Sequence, residues 1–413
     1  MRIMHLMHRS VPGTHGYAIR SRQIVVSQRK KRLEPLVITS PSQAPLGPLD
    51  KEKSEFIDGI RYFRTGGRIF PGTRDVKDDS ALRASFRILQ NVSLLKTALR
   101  VARTYRPDVI HAHSPFTCGL VGDMVGRWTG LPTVYEVRGI WEASHVARHS
   151  MAEHSFSYRG IHLLETAALR RADMCCVISE ALRGEVASRG ISPERIFIVP
   201  NGVDIETFVP GVPSQDLVRR VGLEGALVAG YIGSFFYYEG LDLLIQAAAR
   251  LKERFPALRL LLVGDGEHES ELRKMTIDLS ISDRVVFTGR VPHEDIMDYY
   301  RACDLLILPR REGIETRLVT PLKPLEIMAM QKPVLASDIG GHREIVTDEL
   351  NGILFRAEDL DDLVANWERL LENEGLRKDL GIKARRWVEQ NRDWGVLVNR
   401  YVDQYTRLTA ANL

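Results

Sequence analysis

Short apolar runs alternate with amphipathic stretches along the whole chain. This alternation is typical of α/β folds, in which helices cover a mostly parallel sheet. In the first half the apolar runs predict strands at Ile3–Met7, Pro35–Thr39, Val109–Ala112, Thr133–Glu136, Met174–Ile178 and Ile196–Val199. The alternation restarts in the second half, with strands predicted at Val228–Ile232, Arg259–Val263, Arg284–Phe287 and Leu305–Pro309.

The loop Pro200–Pro213 separates the two series, because proline, glycine and asparagine cluster there and the apolar periodicity lapses. A chain of 413 residues also exceeds the size at which a single hydrophobic core stops growing. We therefore predict an α/β protein with two Rossmann-like doubly wound domains, residues 1–205 and 206–390, that face each other across a cleft. A last helix, at about 390–413, is expected to pack back on the first domain.

Charge is distributed unevenly between the two halves. Residues 1–200 carry 30 lysine and arginine residues against 18 acidic residues, whereas residues 201–413 carry 27 against 35. A basic cluster lies early in the chain, at Arg20, Arg22, Arg29, Lys30, Lys31 and Arg32. It has two interpretations: a patch that meets nucleic acid, anionic lipid or a phosphate-bearing acceptor, or a solvated helix face followed by a turn.

Composition otherwise suits a cytoplasmic protein. No stretch reaches the roughly 18 to 20 uninterrupted apolar residues of a membrane span, and Met1 leads directly into a strand-like run without a signal-peptide core. The four cysteines form no CxxC pair, which favours buried free thiols over a zinc site or a disulfide framework.

The segment 309–330 carries the clearest candidate chemistry. Pro321 or Pro324 is expected to mark the start of a helix, with Glu326 in its first turn. Free backbone N–H groups favour phosphate binding there, and Lys323 adds a positive charge. An ionised Glu326 can accept hydrogen bonds from two vicinal hydroxyls, as a ribose offers. The pattern predicts a nucleoside-diphosphate site; the alternative is a glutamate that only complements the helix dipole.

Several short motifs occur in an order and spacing that together resemble the family 4 retaining glycosyltransferases of the GT-B fold. They are His111–Phe116, Ala172–Asp173 with Val177–Glu180, Val199–Asp204, Val263–Gly266, Val286–Gly289, Tyr299–Pro309, and Lys332–Ser337 with Gly340, Gly341 and Glu344. The resemblance covers nearly all of the chain. It implies a nucleotide-sugar site in which Glu326 binds the ribose, Gly264 and Asp265 form a glycine-rich turn, and Gly289 and Arg290 contact the base.

Two departures from the family pattern change the expected sugar and phosphate contacts. Leu318 takes the place of the first glutamate of the family's E-x7-E motif, so the hexose contact is missing unless Glu312 or Glu315 reaches in. Pro321 and Pro324 remove two backbone N–H donors from the phosphate cradle, so more of the contacts must come from side chains.

A third departure concerns the diphosphate. The family's G-R-x4-K-G turn supplies an arginine and a lysine, whereas Ser234 and Glu239 stand in those positions here. Two charge-assisted contacts, each worth about 1.5 to 3 kcal/mol, would be lost without replacement. The candidates for replacement are Arg310, Arg311, Arg317 and Lys323, with Arg310 and Lys323 as the preferred pair.

The first domain supplies the remaining candidates. Glycines in the loop 10–16, among them Gly16, allow close approach to a sugar or phosphate. Glu136 and Arg138 end a strand; Arg138 is expected to stabilise the departing diphosphate and Glu136 to orient it or contact the acceptor, the alternative being a structural ion pair. The predicted catalytic groups are Arg138, Glu136 and Lys323. The predicted nucleotide-sugar-binding residues are Gly16, Ser234, Gly264, Asp265, Gly289, Arg290, Arg310, Thr320, Leu322, Lys323 and Glu326.

Gly16–Arg22, Tyr135–Glu142 and the run 319–326 also resemble the glycosyltransferases associated with PEP-CTERM and exosortase systems in bacterial exopolysaccharide clusters. This resemblance implies a retaining hexosyltransferase that moves sugar from a nucleotide-diphosphate donor, preferably a UDP-sugar, to a glycan or lipid-diphosphate-linked acceptor. No cofactor and no nucleic-acid partner are expected. No metal is expected either, because a cationic cradle can stabilise the leaving phosphate by itself. The alternatives are a nucleotide-sugar epimerase on the same fold and a catalytically silent subunit.

Further patterns qualify these expectations. The basic first domain, together with Phe56, Tyr62, Phe63 and Phe70, suggests contact with an anionic membrane at the inner face of the plasma membrane. The letters Asp359-Leu360-Asp361 fit a metal-binding DxD turn, but their acidic helical surroundings favour solvated surface. His111 and His113 follow a strand, and one of them is expected to line the cleft or cap a helix.

Overall fold

The computed structural model describes residues 1–13, 16–65, 80–142, 155–292 and 294–410, with only the backbone of 80–90. It divides into two compact units, Met1–Pro200 with Leu397–Leu413, and Asn201–Val396. Each unit is a parallel sheet accompanied by helices, so the predicted pair of Rossmann-like domains is confirmed. No helix in the described ranges is long and apolar enough to cross a membrane.

The first unit contains an eight-stranded sheet with the order β3-β4-β2-β1-β5-β6-β7-β8. Its strands are β1 (Arg2–Met7), β2 (Glu34–Thr39), β3 (Ser54–Ile57), β4 (Ile60–Arg64), β5 (Val109–His113), β6 (Thr133–Val137), β7 (Met174–Val177) and β8 (Ile196–Ile198). Its helices are α1 (Gly16–Lys30), α2 (Ser80–Tyr105), α3 (Phe116–Thr129), α4 (Phe156–Arg171) and α5 (Glu180–Ser188). Neighbouring strands of this sheet pair in parallel, except that β3 and β4 form an antiparallel hairpin.

The second unit contains a six-stranded parallel sheet with the order β11-β10-β9-β12-β13-β14. Its strands are β9 (Leu227–Ile232), β10 (Leu258–Val263), β11 (Val285–Gly289), β12 (Leu305–Leu308), β13 (Val334–Ser337) and β14 (Ile353–Phe355). Its helices are α6 (Gln215–Arg220), α7 (Leu241–Leu251), α8 (Glu269–Asp278), α9 (Ile296–Ala302), α10 (Ile314–Leu318), α11 (Lys323–Ala329), α12 (Gly340–Arg343), α13 (Leu360–Glu372) and α14 (Glu374–Asn391). The last helix, α15 (Trp394–Ala410), places most of its length in the first unit.

The strands predicted from apolar runs are present, because strands covered on both faces need continuous apolar sequence. The β3–β4 hairpin was missed, since charged residues interrupt its apolar pattern. Tyr62 and Phe63 on β4 are fully buried, so their assignment to an aromatic membrane surface is wrong. Phe56 is 66% exposed, whereas Phe70 lies outside the described residues. Arg64 is buried as well, and its Nε lies 2.6 Å from Glu55 Oε1.

The predicted basic cluster does not form one surface patch. Arg20 is only 3% exposed, because α1 turns it toward the interior of the first unit. Its guanidinium donates to the backbone oxygens of Val199 and Pro200 at 2.8 and 2.9 Å, and to Glu136 Oε1 at 3.1 Å. Arg22 instead pairs with Asp58 at 2.7 Å. Arg20 therefore belongs neither to an interaction patch nor to a solvated helix face, because its charge is paired inside the first unit.

A chain of hydrogen bonds fastens α15 to the first sheet, and one longer polar contact, between His111 Nε2 and Glu136 Oε2, completes a ring that we call the polar ring. Arg138 Nη2 lies 2.5 Å from His113 Nδ1, and His113 Nε2 lies 2.9 Å from His5 Nδ1. His5 Nε2 then contacts Gln28 Oε1 at 2.8 Å, and Gln28 Nε2 donates to the Tyr405 hydroxyl at 3.1 Å. The Tyr405 hydroxyl is 2.6 Å from His111 Nδ1, and His111 Nε2 is 3.4 Å from Glu136 Oε2. Arg138 Nε donates to Glu136 Oε1 at 2.6 Å and closes the ring.

The directions of the hydrogen bonds that start at Arg138 follow from its guanidinium. A guanidinium only donates, so His113 accepts at Nδ1 and carries its proton on Nε2. By the same logic His5 accepts at Nδ1 and donates from Nε2 to Gln28 Oε1, so both imidazoles are neutral with the proton on Nε2. The imidazole nitrogens lie within 4.8 Å of one another, as metal ligands do. However, a protonated Nε2 gives His113 no lone pair on that side, so this arrangement does not fit a metal. The expectation that His111 or His113 lines a cleft or caps a helix is wrong, because both are fully buried.

Burial, with a further contribution from His111, lowers the pKa of His5 to about 3. Burial also lowers the pKa of His111, and it brings that of His113 well below its usual value. An unfolded imidazole binds a proton near pH 6.5, so the unfolded state holds more protons below that pH. The free energy of unfolding should therefore fall as the pH drops below about 6.5.

We predict that His5 alone accounts for a loss of about 1.4 kcal/mol in the free energy of unfolding of the first unit between pH 7.5 and 5.5. Urea unfolding curves at the two pH values measure it. In a His5→Gln variant the loss should shrink by about that amount, because the titrating group is gone. His162→Gln is the control, since His162 lies outside the ring with 42% of its side chain exposed. An equal pH dependence in wild type and His5→Gln would contradict the prediction.

Candidate functional site

The second sheet changes direction between β9 and β12, the two strands at the centre of its order. In open parallel sheets ligands bind outside the carboxyl ends of the strands at such a switch point. The loop after β9 carries Ser234 and Glu239, and the loop after β12 carries Arg310. Ser234 and Glu239 are the residues that depart from the family pattern. The topology therefore brings them to the same edge of the sheet as Arg310, a candidate for replacing the missing charge.

Glycines allow the loops at this edge to pack backbone against backbone. Gly233 has φ +153°, and a Cβ there would lie 2.2 Å from Lys323 Cε. Gly264 has φ +133°, and a Cβ there would lie 1.9 Å from the carbonyl oxygen of Gly233. Phe235 N donates to Asp265 O at 2.9 Å, and Gly264 N donates to Gly289 O at 3.0 Å. The ends of β9, β10 and β11 thus form one continuous backbone surface, which a side chain at either glycine would break.

Two cations meet one carboxylate beside this surface. Glu239 Oε1 accepts from Lys323 Nζ at 2.7 Å and from Arg310 Nη2 at 3.3 Å, and Oε2 accepts from Arg310 Nε at 3.3 Å. Glu239 is 2% exposed. Burial alone would raise its pKa, but Arg310 and Lys323 lower it to about 2, so the carboxylate is ionised. The three side chains together carry one net positive charge.

Glu326 lies in the first turn of α11, as predicted, and α11 begins at Lys323 with Pro324 in that turn. Its Oε2 accepts a hydrogen bond from the Tyr300 hydroxyl at 2.7 Å. Burial, and then the charge of Glu326, raises the pKa of Tyr300 well above its usual value, so this phenol keeps its proton. Tyr300 therefore orients the carboxylate that the sequence assigns to a ribose.

The other predicted residues of the second unit divide into two groups. Ser234, Gly264, Asp265, Gly289 and Arg290 lie at the ends of β9, β10 and β11, where Arg290 Nη2 is 3.2 Å from Asp265 Oδ1. The buried Thr320 and the half-buried Leu322 lie in the segment that leads into α11; Thr320 O accepts from Asn201 Nδ2 at 2.6 Å. Leu318 ends α10, and Glu312 is exposed. Asp359, from the DxD letters, caps α13 by accepting from Asp362 N at 3.0 Å.

The first unit holds Gly16, Glu136 and Arg138. Gly16 begins α1, whereas Glu136 and Arg138 belong to the polar ring. Burial would raise the pKa of Glu136, but Arg20 and Arg138 hold it well below its usual value. Arg138 also donates to Ser21 Oγ at 2.7 Å and to Tyr17 O at 3.0 Å. These contacts are the ones expected if Glu136 and Arg138 form a structural ion pair, which was the alternative to a catalytic role. Their catalytic roles stay predictions.

Sequence reasoning missed three residues that shape these sites. In the first unit, Arg20 and Tyr401 both donate to Glu136, as Arg138 does. In the second unit, His342 lies fully buried near Arg310, and its Nδ1 is 2.8 Å from Ser337 O. Arg20 was visible only as one member of a basic run. Tyr401 lies far along the chain from its partner, so no local pattern could have identified it.

Comparison with known proteins agrees with this architecture. Residues 64–207 match the family model "Glycosyltransferase Family 4", and residues 215–387 match "Glycosyl transferases group 1". A GDP-mannose-dependent alpha-mannosyltransferase of Mycobacterium tuberculosis is 26% identical over 400 residues, which cover 96% of this chain and 93% of that protein. An Escherichia coli enzyme named UDP-Gal:alpha-D-GlcNAc-diphosphoundecaprenol alpha-1,3-galactosyltransferase is 26% identical over 316 residues, covering 73% of this chain and 78% of the enzyme.

Among solved structures, Anabaena HepE in complex with UDP superposes with a TM-score of 0.73 at 20% identity, over 98% of this chain and 100% of that one. This likeness concerns the fold. The two family models adjoin and between them match most of the chain, in the order in which the two sheets occur. The chain therefore belongs to the GT-B glycosyltransferases of family 4 and group 1.

Proposed function

We propose that the chain transfers a hexose from a nucleoside-diphosphate donor, most favourably a UDP-sugar, with retention of configuration at the anomeric carbon. The observation that carries the proposal is the meeting of Arg310 and Lys323 on Glu239 beside the glycine turns of β9 and β10. A diphosphate needs cationic partners, and glycine backbone beside them allows its close approach. Because the family's arginine and lysine are absent from this loop, the pair supplies the cationic contacts from β12 and α11.

The chemistry of glycosyl transfer gives the cation pair its role. Breaking the anomeric C–O bond places positive charge on the sugar ring and negative charge on the leaving diphosphate. Lys323 and Arg310 stabilise the leaving group, and Glu326 holds the ribose so that the phosphates reach them. No metal is required by this scheme, and addition of a chelator should leave the rate unchanged.

The relatives support the proposed choice of donor base and of acceptor. A UDP donor is supported by the Escherichia coli galactosyltransferase and by the UDP complex of Anabaena HepE, although a GDP-mannose-dependent relative aligns with 96% of this chain. A lipid-diphosphate-linked glycan is the acceptor class that the name of the Escherichia coli enzyme suggests. We propose this acceptor for a role in exopolysaccharide biosynthesis, at the cytoplasmic side of the membrane that would carry it.

The transferase proposal predicts release of free nucleoside diphosphate. A panel of UDP-, GDP- and ADP-sugars, incubated with and without an extract of lipid-linked glycans, should show acceptor-dependent UDP release. An epimerase would instead return an altered nucleotide-sugar and no free diphosphate, and a silent subunit would bind no nucleotide in calorimetry. Either result would contradict the proposal.

Lys323→Met should weaken UDP binding by about tenfold to a hundredfold, because one charge-assisted contact to the diphosphate is lost. Calorimetry with UDP and with uridine separates the phosphate from the base; uridine affinity should not change. Lys332→Met is the matched control, since Lys332 is a partly buried lysine of the same unit whose Nζ donates to Arg301 O at 3.0 Å. Equal UDP affinity in Lys323→Met and wild type would remove Lys323 from the donor site.

Glu326→Ala should weaken binding of UDP and of uridine alike, because both contain the ribose that the carboxylate is proposed to hold. Tyr300→Phe should have a smaller effect in the same direction, since it leaves the carboxylate and removes only its hydrogen-bond donor. The ribose assignment is refuted by a folded Glu326→Ala variant with unchanged affinity for both ligands.

A further inference from the structure

Glu239 stands where the family pattern places a lysine, and a carboxylate there reads at first as the loss of a phosphate contact. The structure gives it another role. We infer that Glu239 is the positioning residue of the donor site, which holds Lys323 and Arg310 in place for the diphosphate. This inference rests on the proposed function and adds a residue that does not itself touch the donor.

The path of Lys323 shows how the positioning works. Its stem crosses the backbone of Gly233 so closely that a Cβ at 233 would lie 2.2 Å from Lys323 Cε. Its ammonium lies 5.1 Å from the centre of the Tyr231 ring and ends 2.7 Å from Glu239 Oε1. A lysine normally loses much rotamer freedom when it binds a ligand. Here that freedom is already restricted, so less of it is lost when the phosphate arrives.

Glu239 is itself fixed to the loop after β12, which carries Arg310. The turn Tyr237–Glu239 ends at Gly240, which has φ +70°, and a Cβ there would lie 2.0 Å from Pro309 O. Arg311 N donates to Tyr238 O at 2.9 Å. The carboxylate and the guanidinium therefore move together with the end of β12, and they form a preorganised frame for Lys323.

The cluster of Glu239, Arg310 and Lys323 keeps a net charge that an anionic ligand can neutralise. One carboxylate offsets one of the two cations, so a single positive charge remains for the diphosphate. If Glu239 were absent, two cations would lie side by side without a counter-charge, and their repulsion would favour other rotamers or deprotonation of the lysine. Glu239 thus supports the cations of the site through opposite charge, without a contact to the donor.

The protonation of Lys323 offers a direct measure of this role. The charged or titratable groups that face it are Glu239, Arg310, Glu326, Tyr231 and His342. Burial lowers the pKa of Lys323, and Glu239 opposes that effect more than any other neighbour. Removing the charge of Glu239 should therefore lower the pKa of Lys323 further, and Lys323 would lose its proton at a lower pH.

The test compares wild type with Glu239→Gln, which keeps the shape of the side chain and removes its charge. UDP affinity is measured by calorimetry from pH 7 to pH 10, and the titration of Lys323 is followed by NMR of 13C-labelled lysine, assigned with Lys323→Arg. The alkaline loss of affinity should begin at lower pH in the variant, with UDP bound about tenfold more weakly at pH 9 than by wild type. The Lys323 resonance should titrate at correspondingly lower pH.

Asp242→Asn is the matched control, because Asp242 lies at the start of α7 and pairs with Arg311 instead of Lys323. It should keep the wild-type pH profile. If Glu239→Gln does not fold, Glu239→Asp retracts the carboxylate by one methylene and should shift both profiles in the same direction by a smaller amount. A folded Glu239 variant in which Lys323 titrates as in wild type overturns the inference. Failure of wild type to bind UDP at any pH overturns the proposed function instead, and the NMR titration still decides the contact between Glu239 and Lys323.

Discussion

A buried carboxylate that accepts hydrogen bonds from two cationic side chains is the interaction on which each unit depends. Glu136 holds Arg20 and Arg138 in the first unit, and Glu239 holds Arg310 and Lys323 in the second. Removing one partner of a buried ion pair leaves an uncompensated charge, which typically costs about 3 to 5 kcal/mol. The three members of each cluster are therefore constrained to stay together, and each cluster fixes the loops that carry its members.

Topology explains why both clusters form where they do. In each sheet the strand order reverses beside the first strand of the unit, between β1 and β5 in one and between β9 and β12 in the other. Loops leave in opposite directions at such a point and open a crevice at the sheet edge. Polar groups there lack strand partners, so side-chain ion pairs and the polar ring satisfy them. The cluster of Glu239, Arg310 and Lys323 lies at this point in the second unit, and the attachment of α15 lies at it in the first.

The sequence predicted β1, β2 and β5–β12, because fully covered parallel strands are continuous apolar runs, but it did not predict the short strands β3, β4, β13 and β14. It also selected Arg310 and Lys323 as a pair, since charge missing from one loop had to come from a neighbouring one. It did not predict that both would bind Glu239, because that contact joins residues 71 and 84 positions apart. The polar ring could not be predicted for the same reason, because Tyr405 is 294 positions from His111 and no periodicity encodes such a pairing.

The fixed direction of the polar ring limits how this chain can diverge. From His113 through His5 to Gln28 each member both donates and accepts along the ring, whereas Arg138 only donates and Glu136 only accepts. A replacement that removes one role, such as phenylalanine for Tyr405, takes away the acceptor of Gln28 Nε2 and the hydroxyl that contacts His111 Nδ1. Single changes are therefore disfavoured even when they fit the space. Homologues should therefore keep the whole set or exchange it as a block for apolar residues.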